Sequence, residues 1–180
     1  MKLIKTAIEG VCIIRNLKKS DIRGAFTKIF NEDSFKEANL AFEFKESFYS
    51  INKKNVIRGM HFQKPPHDHE KLIYVPQGNL LDVLLDLRKK SKTFGEYITI
   101  SLSDKDNKSI YIPKGLAHGF KSLKENTIMI YNVTSVYNSK SDSGIRFDSF
   151  GFDWNTEDAI ISSRDLSLPP FSVFNLSNPF

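Results

Sequence analysis

Two stretches decide how this chain reads: Arg58-Gly59-Met60-His61-Phe62-Gln63-Lys64-Pro65-Pro66-His67-Asp68-His69-Glu70-Lys71, and Pro113-Lys114-Gly115-Leu116-Ala117-His118. They hold all four histidines of the chain, three of them within nine residues. Around them, short runs rich in aromatic and β-branched residues recur between turn signals, and 15 Phe and 6 Tyr supply the bulk of a core. That spacing predicts an all-β sandwich or barrel. Strands are expected over Gly10–Ile14, Ala25–Phe30, Phe42–Ile51, Lys71–Pro76, Leu80–Leu87, Tyr97–Leu102, Ser109–Ile112, Gly119–Leu123 and Thr127–Val136. Turns fall at Pro65-Pro66, Gln77-Gly78, Lys114-Gly115 and Ser143-Gly144. Phe35, Ala38 and Leu40 follow the cap candidates Asn31 and Asp33 at helical spacing, so one short helix is expected there. From about Leu168, with Pro169-Pro170 and Pro179, the chain reads as an irregular tail whose phenylalanines pack on the body or on a partner.

Length and composition set outer bounds. At 180 residues the chain fits one domain, 1–180, able to bury a core without disulfides or a structural metal. Its single cysteine, Cys12, lies in an apolar run, forms no internal bridge and reads as a small buried hydrophobe. Neither a signal peptide nor a membrane span is visible, and the expected setting is the cytoplasm. The net charge of +5 comes from scattered lysines and arginines that often neighbour acids, which argues against a nucleic-acid stripe and leaves room for a positive site that takes a small diphosphate.

The segment Pro113 to His118 resembles the second cupin signature, P-x-G-x-x-H, and the upstream histidine cluster resembles the first. In the first signature a glutamate ligand precedes a glycine at a fixed interval; here Lys71 stands at that interval before Gly78. A cation at a ligand position repels a divalent metal and supplies no hard oxygen, so the expectation is a site without metal or other cofactor. Such a site suits proton transfer beside a ketone. Removing the acidified hydrogen needs a base, a positive group next to the developing enolate oxygen, and an acid for reprotonation. His61, Lys71 and a tyrosine are the candidates, and inversion follows if base and acid sit on opposite sides of the carbon.

A wider set of ordered motifs then carries a closer resemblance. Asp21-Ile22-Arg23-Gly24-Ala25-Phe26, Arg58-Gly59-Met60-His61-Phe62-Gln63, Lys71-Leu72, Asp82-Val83, Ser91-Lys92-Thr93-Phe94-Gly95, Pro113 to Phe120, Tyr131, Tyr137, Gly144-Ile145 and Ser162-Ser163-Arg164-Asp165 look like the dTDP-4-dehydrorhamnose 3,5-epimerase family, from about Gly10 to Asp165. The resemblance implies a cupin jelly-roll with one or two short helices and a homodimer in which an N-terminal strand crosses to the partner. It also implies roles. His61 would be the base and Asp165 the carboxylate that holds its tautomer, Tyr131 the acid, and Lys71 the group polarising the ketone. Arg23, Arg58 and Lys114 would meet phosphates or sugar hydroxyls. Asp82 and His118 would line the pocket, and Phe26, Lys28, Glu46, Gln63 and Tyr137 would complete the substrate contacts.

Two positions depart from the family pattern. Lys28 stands where a glutamate is common, and a Gln-x-Asn pair appears as Glu46-Ser47-Phe48. An ammonium cannot accept a hydrogen bond from a base N–H, so thymidine-, guanosine- and cytidine-linked sugars, heptoses included, all stay open. The expected function is a nucleotide-linked 4-keto-6-deoxy-sugar epimerase acting at C3, C5 or both, in surface polysaccharide synthesis, with dTDP-4-dehydrorhamnose as the default substrate. The competing readings are a 3,4-ketoisomerase, a metal-dependent cupin oxygenase using His67, His69 and His118, and a cupin that binds sugar nucleotides without catalysis.

Overall fold

The computed structural model describes residues 2–180. Along the chain run β1 (Lys2–Lys5), β2 (Cys12–Arg15), β3 (Leu17–Asp21), β4 (Gly24–Lys28), α1 (Glu32–Glu37), β5 (Glu46–Asn52), β6 (Ile57–Gln63), β7 (Lys71–Gln77) and β8 (Asn79–Asp86). There follow β9 (Tyr97–Ser103), β10 (Lys108–Ile112), β11 (Leu116–Ser122), β12 (Thr127–Val133), β13 (Asp142–Gly144), α2 (Ser163–Leu166) and α3 (Phe171–Asn175). A six-stranded sheet of order β1-β2-β10-β7-β12-β5 faces a five-stranded sheet of order β13-β6-β11-β8-β9, and all strand pairs within them are antiparallel. This is the cupin jelly-roll. β3 and β4 pair only with each other, as a hairpin.

Side chains alternate across each strand, so every sheet presents two faces. Between the sheets, Ile73, Leu80, Leu84, Leu102, Ile110, Phe120 and Met129 form the inner core. The back of the five-stranded sheet carries Met60, Phe62, Val83, Leu85 and Leu87, covered by the C-terminal segment through Phe147, Trp154 and Phe174. The back of the six-stranded sheet packs Ile14, Leu72 and Tyr111 against Phe35 of α1. Strand β8 therefore needs apolar residues on both faces, which is why Leu80 to Leu87 reads as a nearly unbroken hydrophobic run interrupted only by Asp82 and Asp86.

The expected strands are present with shifted ends, and the differences have identifiable causes. Phe42 to Phe44 precede β5 outside its ladder because Phe42 and Phe44 pack onto the α1 cluster. Strand β6, not anticipated from sequence, hides behind the polar and glycine-rich Arg58-Gly59-Met60-His61. There are three short helices rather than one or two: α1, capped by the Asn31 side chain as expected, plus α2 and α3. The tail is not irregular throughout, since α3 lies within it, and its rings pack on the body: Phe62 meets Phe174 at 5.1 Å and Phe180 at 5.6 Å, both edge-to-face. Each such pair adds about 0.5–1.5 kcal/mol beyond area burial. Cys12 is half-buried rather than buried. No helix among the described residues is long and apolar enough to cross a membrane.

Candidate active site

Strand β6 builds one wall of the site through a register break. Against β11, His61 pairs with His118 and Arg58 with Phe120, so three steps on β6 match two on β11. In a regular strand residues three apart point to opposite faces; the extra residue turns both Arg58 and His61 inward. Glycine is required where the bulge forms, because a Cβ on Gly59 would lie 2.5 Å from Gly119 Cα, and Gly59 has φ +136°. A Cβ on Gly119 would meet Met60 Sδ at 2.6 Å. The R-G-x-H and H-G-F patterns are thus two sides of one close backbone approach.

Asp165 reaches His61 from α2. A parallel bridge between Val56 and Ile160 lays this segment beside the start of β6, and the Ser162 hydroxyl caps the helix by accepting from Asp165 N–H at 3.1 Å. Asp165 is buried; its Oδ1 lies 2.7 Å from His61 Nε2, and its Oδ2 accepts the Gly59 N–H at 3.1 Å. Burial works against the Asp165 carboxylate, but the hydrogen bonds from His61 and Gly59 and the nearby charge of Arg164 outweigh it and hold the pKa below the usual range. An ionised Asp165 accepts a hydrogen bond from His61 Nε2–H, which leaves Nδ1 as the nitrogen without a proton. Arg164 Nη1 lies 3.2 Å from His61 Nε2, while its Nη2 donates to Asp142 Oδ2 at 2.8 Å.

The opposite wall comes from the six-stranded sheet. Glu46, Phe48 and Ser50 on β5, Tyr131 and Val133 on β12, and Lys71 on β7 face His61 and His118 across a cavity of about 440 Å³. Lys71 is buried, and its Nζ donates to His61 O at 3.2 Å. Burial lowers its pKa to about 8, with Asp82 and Asp142 restraining the fall. Behind it, His118 Nε2 and Asp82 Oδ2 pair at 2.7 Å, both buried, and among the described residues Asp82 Oδ1 has no hydrogen-bond partner. Burial drives the Asp82 pKa up and the His118 pKa down. Burial also pushes the Tyr131 phenol up, against the weaker pull of the Ser50 hydroxyl, so it stays protonated.

The remaining sequence candidates divide by position. Arg58 faces the cavity, its Nε donating to Asn52 Oδ1 at 2.8 Å. Gln63 reaches the lining but spends its amide on loops, donating to His67 O at 2.9 Å and accepting from Asn138 N–H at 2.6 Å. Glu46 accepts from Tyr137 N–H at 2.6 Å, which places both at the rim. Asp82 lies behind His118 rather than on the lining, contrary to expectation, because it is fully buried. Lys114 stands outside, 3.9 Å from Asp68. Arg23, Phe26 and Lys28 sit on the exposed β3–β4 hairpin, away from the cavity of their own chain.

Some lining residues escaped the sequence reading. Ser50, Asp142 and Ser135 line the cavity without any strong chemical signature, while Phe48, named only as a departure from the Gln-x-Asn pair, and Arg164, named only within a motif, were not expected on it; period-two alternation from Glu46 along β5 is the signal that points to Phe48 and Ser50. His69, in the loop between β6 and β7, turns inward, and burial lowers its pKa to about 3. Among the described residues, no three His, Cys, Asp or Glu side chains converge as a metal-holding group.

Comparison with known proteins agrees with this geometry. A family model described as dTDP-4-dehydrorhamnose 3,5-epimerase matches residues 5–172. An enzyme of that name from Methanothermobacter thermautotrophicus is 39% identical over 174 residues, covering 94% of each chain. The crystal structure of another, from Elizabethkingia anophelis, superposes with a TM-score of 0.90 at 35% identity, covering 97% of this chain and 98% of that one. The Legionella pneumophila dTDP-6-deoxy-D-glucose-3,5-epimerase, solved in complex with dTDP-4-keto-L-rhamnose, superposes with a TM-score of 0.93 at 28% identity, covering 99% and 96%. With its bulged histidine strand, the carboxylate behind that histidine and a lysine between the sheets, this chain belongs to the dTDP-4-dehydrorhamnose 3,5-epimerase family of isomerases.

Proposed function

We propose that the protein epimerises a nucleotide-linked 4-keto-6-deoxy sugar, dTDP-4-dehydrorhamnose by default, at C3 and C5. One observation carries this reading: His61 and Tyr131 enter a single cavity from opposing sheets, with Lys71 between them. His61 Nδ1 takes the hydrogen from a carbon beside the ketone, and the electron pair of that C–H bond moves into an enolate. The Lys71 ammonium donates to the enolate oxygen, a preorganised interaction that strengthens as charge develops. Tyr131 delivers its hydroxyl proton to the far face of the carbon; His61 then loses its proton to solvent and the phenolate regains one. Asp165 holds the imidazole tautomer throughout.

Substrate contacts extend this reading. Arg58, His118, Glu46 and Tyr137 are assigned to the sugar and diphosphate, and Gln63, whose amide is taken up by the loops, holds the lining that they share. The exposed hairpin, with Ile22 fully exposed and Phe26 at 60%, supports a homodimer in which Arg23, Phe26 and Lys28 serve the partner's cavity, with Lys114 at its approach. A cytoplasmic setting suits the free Cys12 thiol.

The test is incubation with thymidine-, guanosine- and cytidine-linked 4-keto-6-deoxy sugars in deuterium oxide. Deuterium entering C3 and C5 of the thymidine-linked sugar with inversion is the expected result, whereas a displaced carbonyl would reveal a ketoisomerase. Binding without any exchange would leave only a sugar-nucleotide-binding cupin. Sedimentation of wild type and Ile22→Asp reads the dimer: the variant should sediment as a monomer, and a monomeric wild type refutes the hairpin assignment.

A further inference from the structure

Inversion and mere exchange begin with the same proton abstraction and part only at the second step. If His61 returns a solvent-derived proton to the face it attacked, the carbon exchanges without inverting; if Tyr131 delivers first, it inverts. The outcome depends on how firmly the phenol is aimed. On the cavity wall with it stands Ser50, whose Oγ accepts from Asn52 Nδ2 at 3.0 Å. The ring is held by aromatic contacts. Phe48 lies directly opposite Tyr131 in the β5–β12 register, and the two rings stack with centroids 4.7 Å apart and planes 16° from parallel. The His118 ring stands edge-on to Tyr131 at 6.0 Å.

Phe48 stands where the family pattern has the asparagine of Gln-x-Asn, so it brings a ring and no hydrogen-bonding group to the cavity wall. It belongs to none of the three buried core clusters, and 45% of it is exposed on the cavity side of an edge strand. An aromatic ring in that position loses much of the benefit of burial, and the stack on Tyr131 is the contact that orients it.

We propose that Phe48 is a positioning residue: by stacking on Tyr131 it holds the phenol toward the substrate and sets the ratio of inverted to merely exchanged product. The inference rests on the epimerase reading above. The measurement is the number of inversions per deuterium incorporated, taken at C3 and C5 separately with dTDP-4-keto-6-deoxy-D-glucose in deuterium oxide, for wild type, Phe48→Ala, Phe48→Leu and Phe48→Tyr. Because both quantities come from one sample, the ratio is independent of how much active enzyme each preparation contains.

The ratio should fall about two- to tenfold in Phe48→Ala, the range that the loss of one aromatic pair converts to. Phe48→Leu, which keeps apolar bulk without the stack, should fall similarly, and Phe48→Tyr should restore the wild-type ratio. A purely structural role would slow exchange and inversion together and leave the ratio unchanged, and that result overturns the proposal. Absence of exchange in the wild type would instead overturn the epimerase reading itself.

Discussion

The molecule contains two histidine–aspartate pairs with the same 2.7 Å contact between Nε2 and a carboxylate oxygen, in opposite surroundings. In the first, the His61 side chain keeps 30% of its surface exposed and Asp165 has both oxygens occupied. In the second, His118 and Asp82 keep 4% and 0%, and among the described residues Asp82 Oδ1 is unpartnered. The chemical groups are the same, but burial lowers the His118 pKa and raises that of Asp82, while hydrogen bonds keep Asp165 ionised. The accessible pair is open to a ligand and to water, as the proposed base role requires. The enclosed pair stands behind Lys71, where the charge of Asp82 limits how far burial depresses the ammonium. Exposure and the second carboxylate oxygen, more than the contact distance, separate the two roles.

That contrast can be broken most directly at His61. His61→Ala should lower deuterium exchange by about 10³–10⁴-fold, the upper range for loss of a general base, in protein that still folds. Equal loss of exchange in a folded His118→Ala would erase the distinction between the pairs. Next, Lys71→Met should cost about 10²–10³-fold in turnover, read by steady-state kinetics, since it removes the charge proposed to meet the enolate.

The pH profile sharpens the comparison. With its pKa lowered to about 8, Lys71 is an ammonium below that pH and a neutral amine above it. Turnover should therefore fall about tenfold per unit above pH 8, and a flat profile to pH 9.5 would refute the Lys71 role. Because Asp82 raises the Lys71 pKa, Asp82→Asn should move that limb to lower pH. His118→Ala should weaken the fold by about 1–3 kcal/mol in urea unfolding, as it strands a buried carboxyl. The smallest effect is expected for Asp142→Asn, which frees half-exposed Arg164 beside His61: at most about fivefold in turnover, the scale of a partly exposed ion pair.

Much of this was legible in the residues themselves. Period-two alternation and turn chemistry placed most strands, because a half-buried sheet imposes its period on the chain. The ordered motifs around His61, Lys71 and His118 pointed to the family, and Lys71 at a ligand position pointed toward proton chemistry. What only the tertiary structure decided depends on segments far apart in sequence. Strand β6 was hidden because a bulge tolerates glycine and polar residues where a regular strand would alternate. Asp165 meets His61 across 104 positions, the burial of Lys71 follows from both sheets closing over it, and Phe48 finds Tyr131 only through the β5–β12 register. Local sequence carries propensity and period; proximity, burial and the pKa shifts that follow from them are properties of the folded whole.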